Sequence, residues 1–179
     1  RALEDEGFTF STDNVKSTID FETRTGEFVS NGKGSIVRFD KNQYICFMER
    51  FKWYMDSEDI QIGDEKNKIE SDGEDNINIE GPEFISIHPN QDSLRFFSPA
   101  AKYNLRKCII KCINVPFINI ADARFFPDSG KVTLFKNAVM DTLKNATILA
   151  NTVSKFHKLN NVRANIYSRK NYIASGTYT

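Results

Sequence analysis

The chain has 179 residues, 40% hydrophobic and 27% charged, with 24 Lys and Arg balanced by 24 Asp and Glu. That is enough apolar material for a sizeable core, and it excludes an intrinsically disordered composition. No run of about 18 apolar residues could cross a bilayer as a helix. The zero net charge hides a division. Residues 101–179 carry thirteen Lys and Arg against three Asp and no Glu, whereas residues 1–100 carry eleven against twenty-one. Halves of opposite sign are expected to pack on each other or on neighbouring repeats. The alternative is an anionic partner for the C-terminal half, such as phosphorylated glycolipid. Nucleic acid is not expected, because the basic residues are scattered through strands rather than interleaved with aromatics as a stacking platform requires.

Period-two alternation dominates the chain in sequence order. Ser17–Ser30 (STIDFETRTGEFVS) reads as a strand, turn and strand, and Asn31-Gly32-Lys33-Gly34 as a turn. Ile36–Phe39 alternates. In Gln43–Met55 the residues Ile45, Phe47, Phe51, Trp53 and Met55 share one parity with only Glu49 intruding, which predicts a half-buried strand or a bent pair of strands. Ile60–Ile62 lies at the start of an acidic stretch, Ser57–Gly81, with nine acidic residues against two Lys. It reads as a solvated loop with residual alternation at Ile77–Ile79; Asp72-Gly73-Glu74-Asp75 lacks the ligand spacing of a calcium loop. Phe84–Ile87, Lys107–Ile120 and Val132–Phe135 alternate further on, punctuated by Gly81-Pro82, His88-Pro89-Asn90-Gln91-Asp92 and Pro127-Asp128-Ser129-Gly130. The last has the residues of a bulged hairpin turn. One segment competes with the all-β reading. In Lys136–Leu159, Val139, Leu143, Ala146, Ala150, Val153 and His157 recur at helical spacing, so a helix at 136–159 is the main alternative. Against it stand Asn145, Thr147, Asn151, Thr152 and Ser154, which are poor helix formers.

Four segments share a scheme of small residue, apolar-plus-polar pair, short turn and apolar return: Ser17–Ser30, Ala101–Cys112 (AKYNLRKCIIKC), Ala138–Ala150 (AVMDTLKNATILA) and Ala164–Ser175 (ANIYSRKNYIAS). The pairs Ile19-Asp20, Tyr103-Asn104 and Met140-Asp141 recur within them. Arg106-Lys107 recurs at Arg169-Lys170, yet Leu143-Lys144-Asn145 stands at that place in the third copy, so the shared unit is a hairpin rung rather than a basic site. Spacing between copies is irregular, which excludes a strict solenoid period. The fold class is therefore all-β, a rung-based open β-jellyroll or β-solenoid-like stack of hairpins. Residues 1–179 form one repeat segment, with 57–81 an acidic loop. The chain opens on Arg1, and Tyr172–Thr179 reads as a strand, so it is expected to be a segment of a longer protein.

AKYNLRKCIIKCINV followed by AVMDTLKNATILANTV resembles the rungs of the OstA-like family, which includes the periplasmic bridge of lipopolysaccharide transport. With SIHPNQDSLRFFSPAAKYNL and NIADARFFPDSGKV, the chain also looks like very large uncharacterised envelope proteins of Gram-negative bacteria. The resemblance implies an open β-jellyroll and a periplasmic or outer-membrane-associated location in the cell envelope. It further implies partners among neighbouring repeats, envelope proteins or glycolipid.

Catalytic signals are sparse. His88 precedes Pro89, and His157 lies among Lys155, Phe156 and Lys158; both are expected at the surface or a strand edge. Cys46, Cys108 and Cys112 are odd in number without CxxC spacing and read as buried small apolar side chains. Glu49, facing the apolar side of its strand, and Asp122 are the only candidates for a glycosidase pair. No residue is assigned a catalytic, cofactor-binding or metal role, no cofactor is expected, and the chain is read as non-enzymatic. Phe96-Phe97, Phe125-Phe126 and Phe51-Lys52-Trp53-Tyr54 put aromatics on both strand faces, as a two-sided core or a groove for acyl chains or a partner strand. The function expected is a structural or protein-interaction module of a large envelope protein. A lipid or lipopolysaccharide conduit comes second and a carbohydrate-active jellyroll third.

Overall fold

A computed structural model describes residues 9–32, 35–64, 81–151 and 157–178. The acidic stretch beyond Asp64, with Ile77–Ile79 and Asp72–Asp75, lies outside the described residues, as do residues 152–156. The described chain is all-β, with three antiparallel sheets. In chain order the strands are β1 (Ser11–Thr12), β2 (Val15–Asp20), β3 (Thr25–Ser30), β4 (Ser35–Phe39), β5 (Tyr44–Met48), β6 (Arg50–Tyr54), β7 (Asp59–Gly63), β8 (Glu83–Ser86) and β9 (Arg95–Phe97). Then follow β10 (Ala100–Asn104), β11 (Ile109–Ile113), β12 (Ile118–Ile120), β13 (Ala123–Phe126), β14 (Val132–Leu134), β15 (Leu143–Ala150), β16 (His157–Ser168) and β17 (Asn171–Tyr178). No α-helix occurs among the described residues of 136–159; β15 and the start of β16 lie there instead.

The hairpins are dealt alternately to two walls. The first wall is the sheet β1-β4-β5-β8-β9, with β12 beside β9, so that the sheet β12-β13-β15-β16-β17 prolongs it. The second wall has seven strands in the order β14-β11-β10-β7-β6-β3-β2. Thus β2–β3, β6–β7 and β10–β11 belong to one wall and β4–β5, β8–β9 and β12–β13 to the other, the alternation of a jellyroll-like sandwich. The inward residues, two apart along each strand, meet between the walls: Val37, Phe39, Tyr44, Cys46 and Phe84 from the first, Phe51, Ile62, Tyr103, Ile110 and Cys112 from the second. Each large side chain buried this way contributes about 1.5–3 kcal/mol. Across the gap, Phe39 meets Tyr103 edge to face at 4.9 Å. Beyond β14 the prolonged sheet curls on itself. Tyr172 of β17 packs edge-on against Phe125 of β13 at 4.9 Å, and the turn at Arg169 accepts a hydrogen bond from Ala121 N at 2.8 Å. A right-handed strand twist carried over five strands produces such a curl.

The rung has a local physical code. In β2, β10 and β16 the last residue (Asp20, Asn104, Ser168) accepts a turn N–H through its side chain: Glu22 and Thr23 donate to Asp20 Oδ1, Lys107 to Asn104 Oδ1 and Lys170 to Ser168 Oγ. Those bonds hold the Asp20 carboxyl below the usual carboxylate range, the Thr23 amide contributing most. Four-residue turns at 21–24, 40–43, 55–58 and 105–108 each end in a left-handed residue, Arg24, Gln43, Glu58 and Cys108, with φ of 52°, 55°, 53° and 53°. Holding a non-glycine residue there costs about 1–2 kcal/mol. The stacking bonds offset this cost. Arg24 O accepts from Met55 N at 3.1 Å, Glu58 O from Leu105 N at 2.9 Å and Gln43 O from Ile87 N at 2.9 Å, tying three of the four turns to the next rung.

Three expectations are corrected. In Gln43–Met55 the buried residues of β5 are Tyr44, Cys46 and Met48, while Phe47 is exposed. The chain bends at Glu49 as it passes between walls, so burial changes parity there and resumes at Phe51. Pro127–Gly130 is no hairpin: it joins β13 to β14 in opposite walls, where Gly130 O accepts from Val115 N at 2.8 Å. Finally, Ser17–Ser30, Ala101–Cys112 and Ala164–Ser175 contain hairpins, but Ala138–Ala150 is a crossing segment plus the single strand β15.

Candidate functional site

The edge of the sandwich that carries the hairpin turns is closed on one side and open on the other. On the closed side the wholly buried Asn42, in the β4–β5 turn, donates through Nδ2 to Cys108 O at 2.8 Å and Leu134 O at 3.4 Å in the opposite wall. Its main-chain O accepts from Ala138 N at 2.9 Å. Gln91 Nε2 donates to Ala138 O at 2.7 Å, and Tyr44 OH donates to Gln91 Oε1 at 3.3 Å. These bonds lace both walls to the segment between β14 and β15.

On the open side lies a cavity of about 500 Å³ lined by Thr9, Phe10, Ser11, Thr12, Phe28, Phe51, Trp53, Ile60 and Leu105. Its floor is apolar. Phe28 and Phe51 stack at 4.4 Å with an interplanar angle of 6°. A strap formed by residues 9–12 makes one side. Phe10 sits edge-on to Phe51 at 5.3 Å and Phe39 at 5.7 Å, Thr9 O accepts from Tyr103 OH at 3.0 Å, and Ser11 and Thr12 pair with Arg38 and Val37. Such a volume falls in the range of small-molecule sites. The Trp53 indole N–H is buried and has no hydrogen-bond partner among the described residues.

The residues singled out from sequence do not converge here, apart from Phe51 and Trp53. His88 caps the short turn Pro89–Gln91, its Nδ1 accepting from Asn90 N at 3.1 Å. His157 is exposed, with Nδ1 3.3 Å from Tyr178 OH. Glu49 does not face the apolar side: it lies exposed at the bend between β5 and β6, its main-chain O accepting from Ser30 N. Asp122 lies in the β12–β13 turn at the other edge, so the two carboxylates are not brought together. It faces Tyr172, whose phenol pKa is raised first by burial and then by that charge. Cys46, Cys108 and Cys112 are buried and unbridged; burial pushes the Cys46 and Cys112 thiols well up. Phe96 and Phe125 point into the core, while Phe97 and Phe126 are half-buried on the outer face. Among the described residues no group of three His, Cys, Asp or Glu could hold a metal ion.

Sequence inspection missed Phe10, Phe28 and Leu105 in the cavity and Asn42 and Gln91 in the lacing. The first three occur in short or charged contexts without long alternation, and Asn42 sits in a polar run, Lys41-Asn42-Gln43, that reads as a solvated turn. No family model matches the chain, and no curated protein does either.

Proposed function

We propose that this chain is a non-catalytic structural or protein-interaction module of a large cell-envelope protein, acting through contacts with neighbouring repeats or envelope proteins. The observation that carries the reading is a filled interior between free edges. Among the described residues, Tyr44, Tyr103, Phe39, Phe84 and Phe125 occupy the space between the walls without a through-going groove, and β2 and β17 each pair on one side only. An unpaired edge offers a row of backbone N–H and C=O groups to another strand. The opposite charges of the two halves favour successive units meeting unlike end to unlike end. The envelope setting rests on the resemblance of the rungs described above.

A lipid conduit would need a dry channel along the stack. The packed aromatic core argues against one, and the cavity at the strap is local. Native mass spectrometry of the protein recovered from its own envelope fraction tests the proposal. A bound protein partner or further units of the same assembly is the expected result. Stoichiometric acyl lipid with no protein partner would refute it in favour of the conduit.

A further inference from the structure

Most sheet edges of the chain are short. β1 has two residues, and β9, β12 and β14 have three each, with β9 and β12 lying side by side. The long edges are β2, of six residues, and β17, of eight, each paired on one side only among the described residues. β17 (NYIASGTY) lacks the usual guards of an open edge, since it holds no charged residue and no proline. Both edges carry bare apolar side chains: Ile173 and Tyr178 are 65% and 63% exposed, and Ile19 and the adjoining Phe21 are 43% and 79% exposed.

The backbone of β2 is set to receive a further strand. Ser30 N donates to Glu49 O and Met55 N to Arg24 O, so the even-numbered residues along β3 bond toward β6 and the odd-numbered ones toward β2. Asn31 N, donating to Asn14 O, keeps the same phase, which leaves Val15, Ser17 and Ile19 with their N–H and C=O groups turned to the open edge.

Charge decides between like and unlike edges. The strands of the β17 sheet contain no Asp or Glu, and their Lys144, Lys158 and Arg163 are exposed without an ion-pair partner among the described residues. Arg163 stands opposite Ser175, in the run of small residues Ala174–Thr177, and its side chain is long enough to cross the roughly 4.8 Å to a strand added beyond them. At the β2 edge Asp13, Asp20 and Glu22 are exposed without an ion-pair partner among the described residues, against Lys16. Two β17 edges would bring cations together and two β2 edges acids, whereas β17 against β2 joins opposite signs. We infer, on the footing of the module role proposed above, that β17 of one copy of this chain adds as a strand beyond β2 of a second copy. The contact is head to tail, so it leaves a β2 and a β17 open at its two ends for further copies. A single strand pairing buries less than about 1,200 Å², so separate copies meet weakly and stay apart at micromolar concentration.

Sedimentation equilibrium of the chain alone tests the pairing, with one variant to block each edge. Ser17→Pro removes an amide that serves the open edge and leaves the ladder to β3 intact; Ile19→Pro, whose amide faces the same way, replaces it should it not fold. Ile173→Glu combined with Ser175→Glu, both at exposed positions, turns the β17 edge acidic. The parent should pass from monomer at about 10 µM to dimers and larger species near about 1 mM, and about 0.5 M salt should weaken this by about threefold or more. Each variant alone should stay monomeric over that range with the circular dichroism spectrum of the parent. An equimolar mixture of the two should form a one-to-one dimer and nothing larger, because one supplies β17 and the other β2. A parent that stays monomeric throughout, association that persists in either variant alone, a mixture that remains monomeric, or association strengthened by salt would each overturn the inference. None of these results would touch the module role itself, which falls only if the native assembly holds no protein partner.

Discussion

Asn42 provides the sharpest test of how the walls are joined. Replacing it with Ala removes the donor that serves Cys108 O at 2.8 Å and, less closely, Leu134 O at 3.4 Å. The site is fully buried, so water cannot take over. A net hydrogen bond is worth about 1 kcal/mol and a stranded buried carbonyl costs about 1–3 kcal/mol more, which puts Asn42→Ala at about 2–4 kcal/mol. For a chain of this size that lowers the melting temperature by about 5–15 °C. Asn42→Asp gives the prediction a sign. Buried and facing two carbonyl oxygens, the new carboxyl is stabilised only when protonated, so its folded pKa rises above the unfolded value of about 3.9. Its contribution is then fully present below about pH 4 and is lost as pH rises through the folded pKa. Urea melts of parent, Asn42→Ala and Asn42→Asp from pH 3 to 8 provide the measurement. The Asp variant should approach the parent in acid and fall well below it at neutral pH. A cost under about 0.5 kcal/mol for Ala, the range of ordinary surface changes, or a pH-independent deficit for Asp, would refute the lacing.

Other outcomes follow from the same geometry. Gly63 has φ +70°, and a Cβ there would lie 2.1 Å from Pro99 O, so Gly63→Ala should cost more than about 3 kcal/mol or prevent soluble expression. Gly32→Ala, with nothing among the described residues beyond its chain neighbours within 4 Å of the added carbon, should stay within about 0.5 kcal/mol in the same urea melts; equal effects at the two sites would contradict the assigned backbone. Burial of Asp59 raises its pKa, but hydrogen bonds from Asn104 and Lys102 outweigh this and hold it below the ordinary value. Its stabilisation is therefore present above the unfolded pKa and lost as pH falls through the folded one. Asp59→Asn should cost about 1 kcal/mol at pH 7, discounted for the exposed Lys102, and flatten the acid limb of the stability curve; an unchanged acid limb would count against the pairing. The three buried thiols should label slowly with a disulfide reagent in the native protein and rapidly in guanidinium. Fast native labelling of Cys46 or Cys112 would contradict their burial in the core.

The all-β architecture was legible because alternation and turn residues survive in short windows, and the recurring apolar-plus-Asp or Asn pair marks a real device, the side-chain cap at Asp20 and Asn104. Wall assignment was less legible. A period-two pattern cannot announce where a chain leaves one sheet for another, so Ile45 and Phe47 were placed on the wrong face once Glu49 bent the strand. The turns that stack the rungs end in Arg24, Gln43, Glu58 and Cys108 rather than glycine. At Arg24, Gln43 and Glu58 the left-handed backbone goes with a hydrogen bond to the next rung, and at Cys108 with the bond from Asn42 of the opposite wall, tertiary causes without a composition signal. Conversely, Pro127-Asp128-Ser129-Gly130 has turn chemistry that serves a crossing between walls as well as a hairpin. The cavity was half visible: Phe51 and Trp53 stood out as aromatics, but Phe10 and Leu105 reach it only through folding of the strap and stacking of the 105–108 turn.

Amide hydrogen exchange of β2 and β17 tests most directly the proposal that this is an interaction module used through its free edges. In the isolated chain, the amides of Val15–Asp20 and Asn171–Tyr178 that face away from β3 and β16 should exchange quickly. In the assembly recovered from its native source they should slow by at least about tenfold, a protection of about 1.4 kcal/mol. Equal exchange in the two samples would contradict the proposal.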